Sequence, residues 1–237
     1  HKQYRSVVGS LVYYTGLRYD IAHDVSRLSQ FVQAPTKGAQ KALKRVMGYI
    51  SSTMNKKLWV PRVKGSKWEI YSDSDHAGDK ESGDCKSRTG VMVMLNGMPI
   101  FWRSTKQPKT STSSAVAEIY AMAEACRDAQ LRLWIAEEAG IKVTWPVKIK
   151  VDNAAGESFQ HATCTSSKLL GIFDMRQEWV QNLQNENLFN TVHVKTTNNI
   201  ADLFTKCLTA VVRSNLEKEI TDVAMEVMII NAHMQQP

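Results

Sequence analysis

Four carboxylates stand out in this chain by type and by place: Asp73, Glu118, Asp152 and Asp202. Asp73 ends a run, Trp68 to Asp73, in which Trp68, Ile70 and Ser72 alternate with Glu69, Tyr71 and Asp73, the period of a pleated strand. Asp152 closes a second short run of alternating β-formers, Val147 to Val151. Glu118 falls in the first turns of a long helical pattern, and Asp202 falls where Ile200 to Phe204 begins a late helix. An acid at a strand end is held rigidly and still reaches solvent, as a metal ligand must. Hard divalent cations take oxygen ligands. Two of them about 4 Å apart clamp the attacking and leaving oxygens of an in-line phosphodiester displacement. Four carboxylates in four such places are the equipment for that chemistry.

The elements that would position them follow from local patterns. Up to residue 60 the chain reads as helical: Val7, Val8, Leu11 and Val12 cluster, then Ile21, Val25 and Leu28 recur with Asp20 as the expected cap. Pro35-Thr36 opens a further helix with Leu43, Val46, Met47 and Ile50 as its apolar stripe, and Lys37, Lys41, Lys44 and Arg45 on its other surface. Residues 61–66 read as a connector. Strands are expected over Trp68–Asp73, Thr89–Leu95 and Pro99–Ser104, the last two joined by the hairpin pair Asn96-Gly97. Ser113 or Ser114 caps the long helix, whose apolar positions run through Ala117, Ala121 and Ala125 to Leu133 and Ile135 before Gly140. A helix is expected after Asn153 and another from about Lys168 to Glu186, then a strand over Leu188–Val194 and a turn over Thr196–Asn199. The whole is an α/β layout on a mixed five-stranded sheet, its first three strands antiparallel, flanked by helices and preceded by a helical arm.

Composition bounds the rest. At 237 residues and 43% hydrophobic, the chain can bury a core without disulfides, and no apolar run approaches a membrane span. Cys85, Cys126, Cys164 and Cys207 are scattered, which excludes a Cys-x-x-Cys zinc or disulfide framework and fits a reducing, intracellular compartment. A start without methionine is expected of a piece of a longer polypeptide. The net charge of +7 is uneven: residues 1–66 hold twelve Lys and Arg against Asp20 and Asp24, a balance of +10, and the remainder is mildly acidic. A basic arm beside an acidic body suits phosphate-backbone contact by one and cation binding by the other. Three units result: 1–66 a basic helical arm, 67–208 the body, and 209–237 a tail. Over 211–230, Leu216, Ile220, Val223 and Val227 share one helical face that packs on the body, or else on a partner helix or a second copy.

The strand order and the Asp-Glu-Asp-Asp order resemble the RNase H fold. The local motifs resemble more narrowly the RNase H domain of copia-type LTR retrotransposon Pol polyproteins. They are Tyr71-Ser-Asp-Ser-Asp-His-Ala-Gly-Asp79, Lys86-Ser-Arg-Thr-Gly90, Ile100-Phe-Trp-Arg-Ser-Thr-Lys-Gln-Pro108, Ser113-Ser-Ala-Val-Ala-Glu-Ile-Tyr-Ala121, Val151-Asp-Asn153 and Ile200-Ala-Asp-Leu-Phe-Thr-Lys206. Tyr4-Arg-Ser-Val-Val-Gly-Ser-Leu11, Tyr19-Asp-Ile-Ala22 and Lys44-Arg-Val-Met-Gly-Tyr49 resemble the end of the reverse transcriptase that precedes that domain. The resemblance covers about residues 4–208.

It implies a ribonuclease H that hydrolyses the RNA strand of RNA–DNA hybrids with two Mg²⁺ ions, for which Mn²⁺ can substitute. Asp73 would bridge both ions, Asp202 would complete the ion that activates the water, and Glu118 and Asp152 would hold the ion at the leaving oxygen. Lys106 and Gln107 would meet the hybrid's backbone and Asn153 a 2′-hydroxyl, the group that tells RNA from DNA; the face of Lys41, Lys44 and Arg45, read from its charge, is turned to solvent or to nucleic acid. The implied partner is the upstream polymerase portion, and the implied setting is a cytoplasmic particle and the nucleus. The chain departs from the family at Val116, where glutamate is usual, at Ser167-Lys-Leu-Leu-Gly171, which lacks a histidine and an acid, and at Tyr19 and Cys207, where proline is usual. An inactive RNase H-fold module kept for binding nucleic acid or protein is the rival from another class. An integrase or exonuclease of the same fold is the rival within enzymes.

Overall fold

The structure, a computed structural model, describes residues 1–58, 60, 65–78, 85–152 and 175–220. Three helices come first: α1 (Lys2–Tyr14), α2 (Ala22–Ser29) and α3 (Lys37–Ser52). Then come β1 (Trp68–Asp75), β2 (Arg88–Leu95), β3 (Met98–Lys106), α4 (Ser114–Glu138), β4 (Val147–Val151), α5 (Met175–Asn185), β5 (Phe189–His193) and a 3₁₀ turn, Ile200–Phe204. A last helix, α6, runs over 210–220. The expected helix after Asn153 and the start of the one from Lys168 lie outside the described residues, as do residues 61–64 of the connector and 221–230 of the tail.

The five strands form one sheet in the order β3-β2-β1-β4-β5. β1, β2 and β3 are antiparallel, whereas β4 runs parallel to β1 and β5 parallel to β4. This is the mixed five-stranded sheet, its first three strands antiparallel, that the sequence pattern implies. Asn96 and Gly97 take φ of 52° and 79°, the left-handed pair that a tight hairpin requires. Thr36 and Ser113 cap α3 and α4, accepting from the amides of Ala39 and Val116.

The alternation along β1 is real, but both of its faces are covered. Ile70, Val91, Val93 and Ile149 face α4 and α5, and along α4 Ala117, Ala121, Ala125, Ala129 and Leu133 are buried at every fourth residue. That row of small side chains lets a 25-residue helix lie close against the sheet. On the other face Tyr71, Met92 and Met94 pack with Phe204, Leu216 and Ile220, and with Ala22 of the arm. α6 therefore lies on the body, the first of the two readings of its apolar face. The arm has its own core of Val8, Leu11, Ile21, Val25, Leu28, Leu43 and Val46, and joins the sheet through α2. Trp102 Nε1 of β3 donates to the Thr15 carbonyl at 2.7 Å, and Arg88 of β2 to Ser26 Oγ at 2.7 Å.

Four expectations need correcting. Met47 and Ile135 are exposed, because each sits one or two residues off the buried row of its helix, where the helical turn carries it to the outer side. Asp20 caps nothing: the residue before α2 is Ile21, without a side-chain cap. Its carboxylate is buried and accepts from Arg18, Tyr49 and Lys56 instead. The element carrying Asp202 is a five-residue 3₁₀ turn, with no α-helix following at once.

Candidate active site

Two of the acids meet because their strands are parallel. Tyr71 of β1 pairs with Lys150 of β4, so two residues further on Asp73, still paired to Gly90 of β2, stands beside Asp152, which follows the end of β4. Asp202 arrives from the 3₁₀ turn, which is held against β1 by Asn199. The Asn199 amide donates to the Ser72 carbonyl at 3.1 Å, and its oxygen caps Ala201 N at 3.2 Å. Gly90, opposite Asp73 on β2, makes room for that turn: a Cβ there would stand 2.7 Å from the Ala201 carbonyl and 2.8 Å from the Thr205 methyl. Carboxylate oxygens of Asp73, Asp152 and Asp202 consequently lie within 4.8 Å of one another, with Asp73 and Asp202 buried.

Glu118, in the first turns of α4, stands by Ser74 and Asp73 but is not one of the three acids whose oxygens lie within 4.8 Å of one another. Burial, and then the Asp73 charge, push its carboxyl up to about 8. Burial and Asp73 likewise push Asp202 up to about 7, and burial raises Asp73 itself. Crowded, desolvated acids of this kind resist ionising together. Within the chain they are relieved by Thr205, whose hydroxyl donates to Asp73, and by Lys206. The Lys206 ammonium lies 2.7 Å from Asp202 and 3.5 Å from Asp73. Burial lowers the Lys206 pKa, but Asp73 and Asp202 more than reverse that and hold it charged. Neither Thr205, Lys206 nor Asn199 was assigned a role from sequence. The signal was the Asp202–Lys206 spacing of four within a motif already singled out.

A pH dependence follows. Glu118 and Asp202 keep protons in the fold that they lose in the unfolded chain above about pH 4, so metal-free stability falls as pH rises from about 4 to about 8. Melting in a chelator is expected to give a lower Tm at pH 8 than at about pH 5, with Glu118→Gln flattening the slope. A wild-type Tm that climbs over that range would contradict a crowded carboxylate site.

The other expected contacts divide. Lys41, Lys44 and Arg45 are exposed on α3. Lys106 is half-buried, its Nζ 3.5 Å from Gln30 Oε1 at the end of α2. Gln107 is not placed for nucleic acid: it is 2% exposed, and its amide donates to Thr89 Oγ1 and to the Ala117 carbonyl. It ties the end of β3 to α4, a role its position just after a strand does not reveal. Asn153 lies outside the described residues. His193 ends β5, with Nε2 3.2 Å from the Asp152 carbonyl oxygen.

No family model matches the chain. Over 218 residues it is 33% identical to the retrovirus-related Pol polyprotein from transposon RE1 of Arabidopsis thaliana, a match that covers 92% of the chain and 15% of that protein. It is also 40% identical over 127 residues to the secreted RxLR effector protein 161 of Plasmopara viticola, covering 53% of the chain and 88% of that protein. Among solved structures, LC11-RNase H1 in complex with RNA/DNA hybrid aligns with 59% of the chain and 94% of its own, at 19% identity and a TM-score of 0.44. The chain thus spans about 15% of the length of the Pol polyprotein it matches. On that sequence identity, and on a sheet of the order its motifs imply, the chain belongs to the copia-type, retrovirus-related Pol polyproteins of transposons.

Proposed function

We propose that this chain is a ribonuclease H, a metal-dependent endonuclease for the RNA strand of RNA–DNA hybrids, working within a Pol polyprotein. The observation that carries the reading is the convergence of Asp73, Asp152 and Asp202 at one edge of the sheet, their oxygens within 4.8 Å. The donor set fits the group it would hold: carboxylate oxygens alone, with no sulfur or imidazole among the three, suit Mg²⁺ or Mn²⁺. Asp73 would be shared by two ions, with Asp202 completing one and Glu118 and Asp152 the other. When bound, the ions supply charge stabilisation at the attacking and leaving oxygens.

The chain's own part is to hold the acids converged. Asn199 and Gly90 fix the turn that carries Asp202, and the β1–β4 register fixes Asp73 beside Asp152. Lys206 offsets their charge before a divalent ion arrives, and Thr205 orients one Asp73 oxygen. Lys106, Lys41, Lys44 and Arg45 are the proposed backbone contacts, with Asn153 at a 2′-hydroxyl. Residues 1–66 correspond in this reading to the end of the reverse transcriptase, 67–208 to the nuclease, and 209–237 to an appended helix and tail. The proposed setting is a cytoplasmic particle and the nucleus. Among the described residues no helix is long and apolar enough to cross a membrane.

The second reading, an RNase H-fold module that binds without cutting, is favoured by one feature: the Lys206 ammonium already does part of a cation's work among the acids. A hybrid labelled on each strand in turn, incubated with Mg²⁺ or Mn²⁺, separates the two. Cutting of the RNA strand alone, abolished by chelator, is expected. Hybrid binding with no cutting in either metal makes the binding module the better account.

A further inference from the structure

We propose that the arm extends the active site as a cationic track for the nucleic-acid backbone, running from Lys206 across Arg27 of α2 to Arg45 of α3. The inference rests on the ribonuclease reading for its ligand, but on separate residues for its geometry. A cleft of about 550 Å³ opens beside the carboxylates, between α2 and the end of β1. It shares a wall with them, since Thr205 and Lys206 line it and also touch Asp73 and Asp202. His23 and Arg27 come to it from the arm and Arg88 from β2, and Asp75 is the acid among its described lining residues. Arg27 stands at its lip with Nη1 2.8 Å from Cys207 Sγ. The same arginine lines a second cleft of about 740 Å³ between α2, α3 and α6, where Arg213 and Arg45 follow it and Asp24 is the acid. The two clefts meet at Arg27 and Cys207.

A strand whose scissile phosphate sits at the carboxylates carries further phosphates away from them at short, regular intervals. A cleft continuous with the acids and walled by arginines suits those phosphates. Arginine presents a planar fork that binds phosphate oxygens in pairs, and it stays charged at any working pH. Of the basic residues of the arm, Arg27 lines the cleft beside the carboxylates and Arg45 the cleft that continues it. The arm is then part of the substrate-binding surface. The contacts are to phosphate, so they add affinity without base preference.

Hybrid affinity measured against salt, with Ca²⁺ replacing Mg²⁺, tests the track in wild type, Arg27→Gln, Arg27→Lys and Arg45→Gln. Arg27→Gln is expected to bind about tenfold more weakly, with the log–log salt slope reduced by about 0.9. Arg27→Lys keeps the slope. Arg45→Gln, at an exposed position where folding is not in question, shows a smaller loss and the same change of slope. Hybrids with a neutral methylphosphonate at single positions of either strand then identify which backbone lies in the track, because the Arg27 effect vanishes where its own phosphate is neutral. Unchanged affinity and slope in both Gln variants of an enzyme that cuts would overturn the track and leave the ribonuclease standing. An Arg27-dependent slope in a protein that never cuts would do the reverse. A wild type that binds no hybrid overturns both.

Discussion

Asp73→Asn is expected to abolish hybrid cleavage, by about 10³-fold or more, while the protein stays folded. Asp73 is buried among the others: oxygens of Asp152 and Asp202 lie within 4.8 Å of it, Thr205 donates a hydrogen bond to it, and Lys206 lies 3.5 Å away. The amide removes a charge that two cations would share, and with it several kcal/mol of transition-state stabilisation. At 1.36 kcal/mol per tenfold, that is at least three orders of magnitude in rate. Asparagine also relieves the crowding that raises Glu118 and Asp202, so the metal-free variant is expected to melt at or above the wild-type temperature at pH 8. Opposite movements of activity and stability are the mark of a strained functional site. An Asp73→Asn protein that cuts at near wild-type rate would remove Asp73 from the mechanism.

The largest expected effect on stability lies far from the acids. Asp20→Ala should cost about 3–5 kcal/mol, because it strips the partner from buried cations. The Asp20 carboxylate is 1% exposed and accepts from Arg18 Nε at 2.8 Å and Nη2 at 2.7 Å, from Tyr49 at 2.7 Å and from Lys56 at 3.2 Å. Lys56 goes on to Glu217 of α6 at 2.8 Å, and Arg213 of α6 donates to the Asp20 carbonyl. One side chain therefore joins α3, the turn before α2 and the C-terminal helix. Burial acts to raise its pKa, but the hydrogen bonds from Arg18 and Tyr49 outweigh it and bring the carboxyl down to about 2. The stability it contributes is then full above about pH 4, its unfolded value, and disappears as pH falls through about 2. Urea unfolding at neutral pH gives the first number. Arg18→Met added to Asp20→Ala should recover part of the loss, as expected when the penalty is an orphaned charge. A loss below about 1 kcal/mol would mean that water reaches the hub and screens it.

The features legible in sequence were those whose cause is local. Alternation in β1, the Asn96-Gly97 hairpin, the caps at Thr36 and Ser113 and the end of α4 at Gly140 all follow from the preferences of a few adjacent residues. Two of the candidate acids were legible in the same way, Asp152 just past the end of β4 and Asp73 late in β1, which runs two residues further than the alternation alone suggests, to Asp75. What sequence could not supply was the other side of each contact. Alternation says that successive side chains point oppositely; it does not say that a helix lies above Ile70 and a second core below Tyr71. Gln107 reads as a polar residue after a strand, and becomes a buried tie once α4 crosses over it.

Asp20 shows the same division most sharply. From its neighbours it is a helix cap; in the fold it is the centre of a network, because Tyr49, Lys56 and Arg213 come from 29, 36 and 193 residues away. Thr205 reaches Asp73 across 132 residues, and no spacing rule links the two. The amino-acid order alone thus established most of the elements and brought two acids close to strand ends, since these depend on backbone preference over one or two turns. Folding in three dimensions settled which acids share charge, which cation sits among them and which face of the arm lies beside them. Those depend on strand register and helix packing, and on groups brought together from opposite ends of the chain.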